Sequence, residues 1–176
     1  SGGMQKKLSL ACTLIHQPEI IMLDEPTTGV DPVSRRDFWD ILTEVHLEGV
    51  TLLITTPYMD EAERCHRIVY IAYGKIVTRG TVPEVIAQSG LSTVVVTRAN
   101  PALAKRLRET PDIDQVASFG NTLHVVGTDR ERLRAAVERT IAGTSAQAHE
   151  DVTELEDVFI QLMSAATDNF AGEPGK

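Results

Sequence analysis

A short apolar stretch of the sequence, Ile20-Ile21-Met22-Leu23, ends abruptly in two adjacent carboxylates, Asp24 and Glu25. Such a stretch predicts a buried parallel strand, and the carboxyl end of a strand is where α/β sheets bind ligands. Because successive side chains of a strand point in different directions, Asp24 could hold Mg²⁺ through its waters while Glu25 orients or deprotonates an attacking water. That division of labour suits phosphoryl transfer to water. The alternative is a solvated strand end before a turn at Pro26, and Leu-Asp-Glu-Pro alone leaves both interpretations open.

The first three residues, Ser1, Gly2 and Gly3, precede a helical pattern of apolar residues. A glycine-rich turn that leads into a helix presents unpaired backbone N–H groups and the positive end of the helix dipole. The hydroxyl of Ser1 adds one more donor, so the segment predicts an anion site suited to a terminal phosphate. The alternative is a flexible chain end without a function, and two glycines alone do not decide between them.

Turn residues divide the first part of the chain into short elements. Apolar spacing predicts, in order, a helix up to about His16, a strand at 19–23, a helix from 32 to about 48, a second buried strand at 51–55, a short helix at about 59–65, a hairpin within 67–79 and a capped helix that Gly90 closes. Two apolar strands that alternate with helices are typical of an α/β fold with a parallel sheet.

The character of the sequence changes at about residue 91. From there the predicted order is strand, helix, strand, strand, helix, strand, which is a split βαβ pattern, and Thr153 opens a final capped helix. We therefore predict three parts: an α/β domain over residues 1–90, a small separate α+β domain over residues 91–164, and a tail or linker over residues 165–176.

Composition narrows the class of function. The formal net charge of −8 gives no electrostatic support for nucleic-acid binding, so we expect no nucleic-acid partner. Cys12 and Cys65 lack the spacing of metal ligands, which favours two thiols in a reducing compartment. No apolar stretch approaches the roughly 18 residues that a membrane-spanning helix needs.

The order and spacing of three blocks resemble the ATP-binding subunits of ABC transporters. Ser1-Gly2-Gly3-Met4-Gln5 resembles that family's signature motif, with Met4 inserted between Gly3 and Gln5. The stretch from Ile20 to Pro26 resembles the Walker B motif with its catalytic glutamate, and Thr27-Thr28-Gly29-Val30-Asp31-Pro32 resembles the D-loop. Three such motifs in the right order within 32 residues are far more specific than any one of them.

The resemblance implies a fold and a place in a longer protein. Residues 1–90 would be the C-terminal part of an ABC nucleotide-binding domain of the P-loop NTPase fold, and residues 91–164 a ferredoxin-like accessory domain. The segment from Thr153 to Met163 resembles the C-terminal segment of drug- and antibiotic-exporter ATPases. We therefore expect a C-terminal fragment that begins inside the nucleotide-binding domain. Consistent with that expectation, the 176 residues contain no G-x-x-x-x-G-K-[ST] phosphate loop, so by themselves they should neither bind ATP appreciably nor hydrolyse it.

The resemblance also implies a mechanism that needs two ATPase subunits or cassettes arranged head to tail, with ATP and Mg²⁺ as cofactors. Asp24, as the Mg²⁺ ligand through water, and Glu25, as the catalytic residue, would act on ATP held by this subunit. Asp31 would communicate between the two sites. The residues expected to contact the partner's ATP are those of the signature motif, Ser1, Gly2, Gly3 and Gln5.

The resulting expectation is an ATPase subunit that couples ATP hydrolysis to export through a separate membrane permease subunit, located on the cytoplasmic, inner face of the cell membrane as a peripheral protein. One alternative is a degenerate, non-hydrolysing half-site that donates its signature motif to a partner. Another is a soluble ABC protein of translation or repair. The acidic net charge and the exporter-like C-terminal segment count against that last alternative.

One position departs from the family pattern. The segment from Leu53 to Glu63 resembles the family's switch segment, in which Pro57 occupies the place of a histidine that contacts the γ-phosphate. Proline has neither a side-chain donor nor a backbone N–H, so it cannot make that contact. The hydroxyl of the preceding Thr56 is the nearest replacement that the sequence offers. The hypothesis that follows is a catalytically weakened site, as in one half of an asymmetric pair.

Restoring the histidine tests this hypothesis. Pro57→His in the full-length protein should raise the rate of ATP hydrolysis at this subunit's own site, because it returns a donor to the γ-phosphate. Single-site turnover measured with and without the substitution decides the matter, and a flat rate would contradict the hypothesis.

Overall fold

The computed structural model describes residues 2–165, which form an α/β structure of two compact units, residues 2–62 and 63–165. Two sequence predictions fall outside these residues: the phosphate-binding role of Ser1, and the tail or linker beyond residue 165. The hairpin and helix predicted between residues 67 and 90 belong to the second unit. The domain boundary near residue 90 stays a prediction. Within the described residues no helix is both long and apolar enough to cross a membrane.

The first unit contains a parallel pair of strands and three helices. Its elements are α1 (Gly2–Leu14), β1 (Ile20–Asp24), α2 (Pro32–Leu47), β2 (Thr51–Thr55) and α3 (Met59–Ala62). Strands β1 and β2 pair in parallel, with Ile20 opposite Thr51 and Asp24 opposite Thr55. The predicted parallel pairing is confirmed, and the register brings the carboxyl ends of the two strands to one edge.

The long helix α2 supplies most of the core of the first unit. It begins with Asp31 as N-cap and Pro32 in its first turn, where a missing backbone N–H costs nothing. Its buried face holds Phe38, Trp39, Leu42 and Val45, to which α1 adds Leu10 and β1 adds Ile21.

The prediction that β1 and β2 are buried strands is wrong for one side of the sheet. Ile21 is buried, whereas Ile20 and Met22 are 61% and 74% exposed, and Leu53 of β2 is also exposed. Successive residues of a strand face opposite sides. In the described part of this unit, therefore, only the side that carries Ile21 is covered. Apolar character alone did not reveal this difference between the two faces.

The second unit opens with a hairpin and a capped helix. Strands β3 (Ile68–Ala72) and β4 (Lys75–Gly80) pair antiparallel around a turn at Gly74, which has a positive φ of 72°. Helix α4 (Val82–Ser89) begins with the predicted capping box: the backbone N–H of Thr81 donates to Glu84, and the backbone N–H of Glu84 donates to the Thr81 hydroxyl. The bond from the Thr81 N–H, together with the Thr81 hydroxyl, stabilises the charged carboxylate and so lowers the pKa of Glu84.

A four-stranded antiparallel sheet dominates the rest of this unit. Its elements follow in the order β5 (Ser92–Thr97), α5 (Pro101–Arg108), β6 (Gln115–Phe119), β7 (Thr122–Gly127), α6 (Arg130–Ile141), β8 (Gln147–Asp151) and α7 (Leu155–Ala165). The strands lie in the order β6-β7-β5-β8. The predicted succession of strands and helices is therefore present.

The two faces of this sheet are chemically different. One face packs against α5 and α6 through aliphatic side chains, among them Val94, Val96, Leu123, Val125, Leu107 and Leu133. On the other face lies a polar cluster centred on Asp157 of α7, which is fully buried. Its carboxylate lies 3.1 Å from the ring Nδ1 of His124 and accepts a 3.1 Å hydrogen bond from the Thr93 hydroxyl. The cluster thus joins α7 to β5 and β7.

Removing this carboxylate should destabilise the fold. Asp157→Ala leaves His124 and Thr93 without their shared partner inside the protein, which should lower the free energy of unfolding by roughly 2–5 kcal/mol. Glu156→Ala, the adjacent exposed carboxylate on the same helix, is the matched control and should change it by less than about 0.5 kcal/mol. Urea unfolding followed by circular dichroism measures both, and equal unfolding curves for the two variants would contradict the proposed importance of the cluster.

Candidate functional site

The carboxyl ends of β1 and β2 bring together three polar residues: Asp24, Glu25 and Thr55. The Thr55 hydroxyl donates to Asp24 Oδ1 and accepts a 3.0 Å hydrogen bond from the backbone N–H of Glu25. The same N–H lies 3.1 Å from the carbonyl oxygen of Thr55. Sequence patterns did not single out Thr55, since its importance comes from the register that places it opposite Asp24.

The backbone at Glu25 has an unusual conformation. Its φ is +42°, in the left-handed region, which costs a residue with a side chain about 1–2 kcal/mol. The Thr28 hydroxyl donates to Glu25 Oε2 over 3.0 Å, while the side chain stays exposed. An exposed carboxylate held from one oxygen can accept a hydrogen bond or a proton from a water, as a general base requires.

The donor chemistry at Asp24 fits Mg²⁺. Magnesium prefers oxygen ligands, keeps several waters, and often takes only one or two carboxylates in addition to substrate phosphates. Asp24 offers one exposed carboxylate at the sheet edge, with one oxygen held by Thr55. Residues 2–165 contain no group of three or more His, Cys, Asp or Glu side chains that could hold a metal ion. A magnesium ion here would therefore be held chiefly by water and phosphate oxygens.

A third carboxylate, Glu61 of α3, lies buried behind this edge, with 1% of its surface exposed. The Thr27 hydroxyl donates to its Oε1 and the Thr56 hydroxyl to its Oε2, each over 2.7 Å. The Nε of Arg35 lies 3.9 Å from Oε1, and the guanidinium lies over the Tyr58 ring, 4.6 Å from its centroid. Sequence patterns did not single out Glu61, because three acidic residues within four positions, as in Asp60-Glu61-Ala62-Glu63, are typical of an exposed turn of helix.

Thr56 and Pro57, the predicted switch positions, follow β2 directly. The Thr56 hydroxyl donates to Glu61 and accepts a 3.1 Å hydrogen bond from the backbone N–H of Tyr58. Its one hydrogen is therefore already in use, and a bond to phosphate would require it to leave Glu61. Pro57 is exposed beside it and brings no donor. Nucleotide contact at these positions stays a prediction.

The glycines of the signature-like segment belong to the first turn of α1 and not to a turn before it. In that turn the backbone N–H groups have no partner within the helix, which keeps an anion site chemically possible. Gly3 is buried, and a Cβ at this position would lie 2.7 Å from Cβ of Ser34. A side chain there would therefore force α1 away from the start of α2. Gln5 is exposed.

Asp31, the predicted D-loop residue, caps α2. Its Oδ1 accepts a 2.9 Å hydrogen bond from the backbone N–H of Ser34. That bond, together with the Ser34 hydroxyl, lowers the pKa of Asp31 because it stabilises the charged form. The capping bond explains an aspartate at this position structurally, and communication between two nucleotide sites stays a prediction.

Comparison with known proteins places these motifs in context. Residues 1–28 match the family model described as ABC transporter. Over 170 residues the chain is 32% identical to the probable multidrug ABC transporter ATP-binding protein YbhF of Escherichia coli K12, an alignment that covers 94% of this chain and 29% of that protein. It is 35% identical over 165 residues to the Nod factor export ATP-binding protein I of Neorhizobium galegae, covering 92% of this chain and 46% of that protein.

A solved structure described as "Structure of ATP binding subunit of ABC transporter" is similar over 51% of this chain and 38% of that chain, with a TM-score of 0.46 and 28% sequence identity. The chain spans less than half the length of each of the two relatives named above.

Proposed function

Because this chain belongs to the ATP-binding proteins of ABC transporters, we propose that it is part of the ATP-hydrolysing subunit of an exporter. The observation that carries the proposal is the edge at which β1 and β2 end together. There an exposed Asp24 and an exposed Glu25 follow a parallel strand, and Thr55 of the neighbouring strand bonds both residues.

At this subunit's own site Asp24 and Glu25 would have different roles. Asp24 would hold Mg²⁺, mainly through water, and the ion supplies charge neutralisation for the phosphate oxygens when bound. Glu25 would orient and deprotonate the attacking water. The bond from Thr28 to one oxygen of Glu25 supports this role, since it limits the orientations that the carboxylate can take.

At the partner's site the start of α1 would contact ATP. The residues proposed for this are Gly2, Gly3 and Gln5, with Ser1 outside the described part of the chain. The backbone N–H groups of the first helical turn, which have no partner within the helix, support an anion contact here, as does the match of residues 1–28 to the family model. This arrangement requires a second ATPase subunit or cassette placed head to tail, with Asp31 near the junction.

The assignment of each part of the chain to a known fold is also a proposal. Residues 1–90 would belong to a P-loop NTPase domain, and residues 91–164 would form a ferredoxin-like domain. The strand order β6-β7-β5-β8 supports the second assignment, because each strand–helix–strand unit skips one antiparallel strand between its own two.

Export and a cytoplasmic, membrane-associated location are also part of the proposal. The names of the two curated relatives given above refer to multidrug transport and Nod factor export, which favours an exporter for this chain. We place the protein at the cytoplasmic face of the cell membrane, bound to a membrane permease subunit through which the solute passes. Neither name supports the degenerate half-site as an alternative.

Substitution of Glu25 tests the proposed hydrolysis. In the full-length protein with its membrane partner, Glu25→Gln should lower ATP turnover by roughly 10²–10⁴-fold, the usual contribution of a general base. The affinity for Mg·ATP should stay within about threefold, because the amide changes only the group that acts on water. Glu19→Gln, an exposed carboxylate just before β1, is the control. A Glu25→Gln protein that hydrolyses ATP at the rate of the control would overturn the proposal.

A further inference from the structure

We propose that Glu61 is a positioning residue for hydrolysis: its buried carboxylate clamps the loop after β1 to the segment after β2 and so sets the position of Glu25. This inference rests on the proposed function for its consequence, whereas the clamp itself is visible in the contacts. Each oxygen of the carboxylate is bonded to a different segment, Oε1 to Thr27 and Oε2 to Thr56.

Thr27 and Thr56 are both close in sequence to residues of the candidate site. Thr27 lies two residues after Glu25, and Thr56 lies between Thr55 and Pro57. Thr55 in turn bonds Asp24 and the backbone of Glu25. A shift of Thr27 relative to Thr56 would therefore move the loop that carries Glu25 against the strand end that anchors it.

Burial makes the clamp stiff. With 1% of its surface exposed, Glu61 has almost no access to water, so its charge must be satisfied by protein groups. A carboxylate that loses a hydroxyl donor in such a place cannot replace it with solvent. Thr27 is almost equally buried, which gives its hydroxyl the same constraint.

Arg35 supplies the opposite charge and links a third segment to the clamp. Its Nε is buried, makes no hydrogen bond in the structure, and lies 3.9 Å from Glu61 Oε1. Its backbone N–H donates to the carbonyl oxygen of Asp31 at the start of α2. The loop after β1, the segment after β2 and the first turn of α2 thus meet at one carboxylate.

A clamp of this kind predicts a specific kinetic defect. In the full-length protein, Glu61→Gln, Thr27→Val and Thr56→Val should each lower kcat by about 10–100-fold, because displacement of a reacting group by 1 Å can cost about 10²-fold. The KM for ATP should stay within about threefold for Glu61→Gln and Thr27→Val, because neither Glu61 nor Thr27 is predicted to contact the nucleotide. Glu63→Gln, an exposed carboxylate two residues away, should behave like the wild type.

Coupling between the substitutions separates a clamp from a general loss of structure. If Thr27 acts through Glu61, Thr27→Val should lower kcat far less in the Glu61→Gln background than in the wild type. Hydrogen–deuterium exchange should also rise in residues 25–28 and 56–58 together in each single variant. Wild-type kcat in all three variants, or additive losses with exchange changed in only one segment, would overturn the proposal.

If the proposed function is wrong, the kinetic and exchange measurements give a different pattern of results. If the wild-type protein does not hydrolyse ATP, the exporter ATPase proposal fails, and the exchange measurement alone decides the clamp. Joint loosening of both segments in Glu61→Gln would then support it, and unchanged exchange in either segment would overturn it.

Discussion

The parallel pairing of β1 with β2 is the constraint on which the candidate site depends. Its register sets Asp24 opposite Thr55, so that one hydroxyl can donate to the carboxylate of one residue and accept from the backbone N–H of the next. A slip by one residue would point the Thr55 side chain to the other face of the sheet and remove both contacts. Everything proposed for Asp24 and Glu25 assumes this register.

The same solution to a physical problem occurs in both units of the chain. A carboxylate without access to water is costly unless protein groups satisfy it with hydrogen bonds. Glu61 has two threonine hydroxyls and the nearby Arg35, and Asp157 has the Thr93 hydroxyl and the ring of His124. In the first unit the buried carboxylate lies behind the candidate site. In the second it fixes the last described helix to a sheet.

Local sequence patterns were sufficient to predict most of the helices and strands. Apolar spacing, capping residues such as Thr81 with Glu84, and the turn at Gly74 are all short-range signals, and each predicted an element close to where it lies. The edge position of Asp24 and Glu25 was equally predictable, because the abrupt end of an apolar strand is visible in five or six residues.

The contacts that hold the site were not predictable in this way. Thr55 bonds residues 30 and 31 positions earlier in the chain, and Glu61 bonds Thr27 across 34 positions, so that only the folded register brings them together. The exposure of Ile20 and Met22 has the same origin, since an apolar stretch does not show which face a helix covers. The positive φ of Glu25 was not predictable from the sequence, because glutamate is not a residue that favours that conformation.

The central claim is that the Thr55 hydroxyl holds the two carboxylates in working positions at the strand ends. ATP turnover by the full-length protein with Thr55→Ser and with Thr55→Val, at matched thermal stability, tests it most directly. We expect the serine variant, which keeps the hydroxyl, to retain kcat within about threefold, and the valine variant to lose about 10–100-fold, as misplacement of reacting groups would cause. Equal turnover by the serine and valine variants would contradict the account.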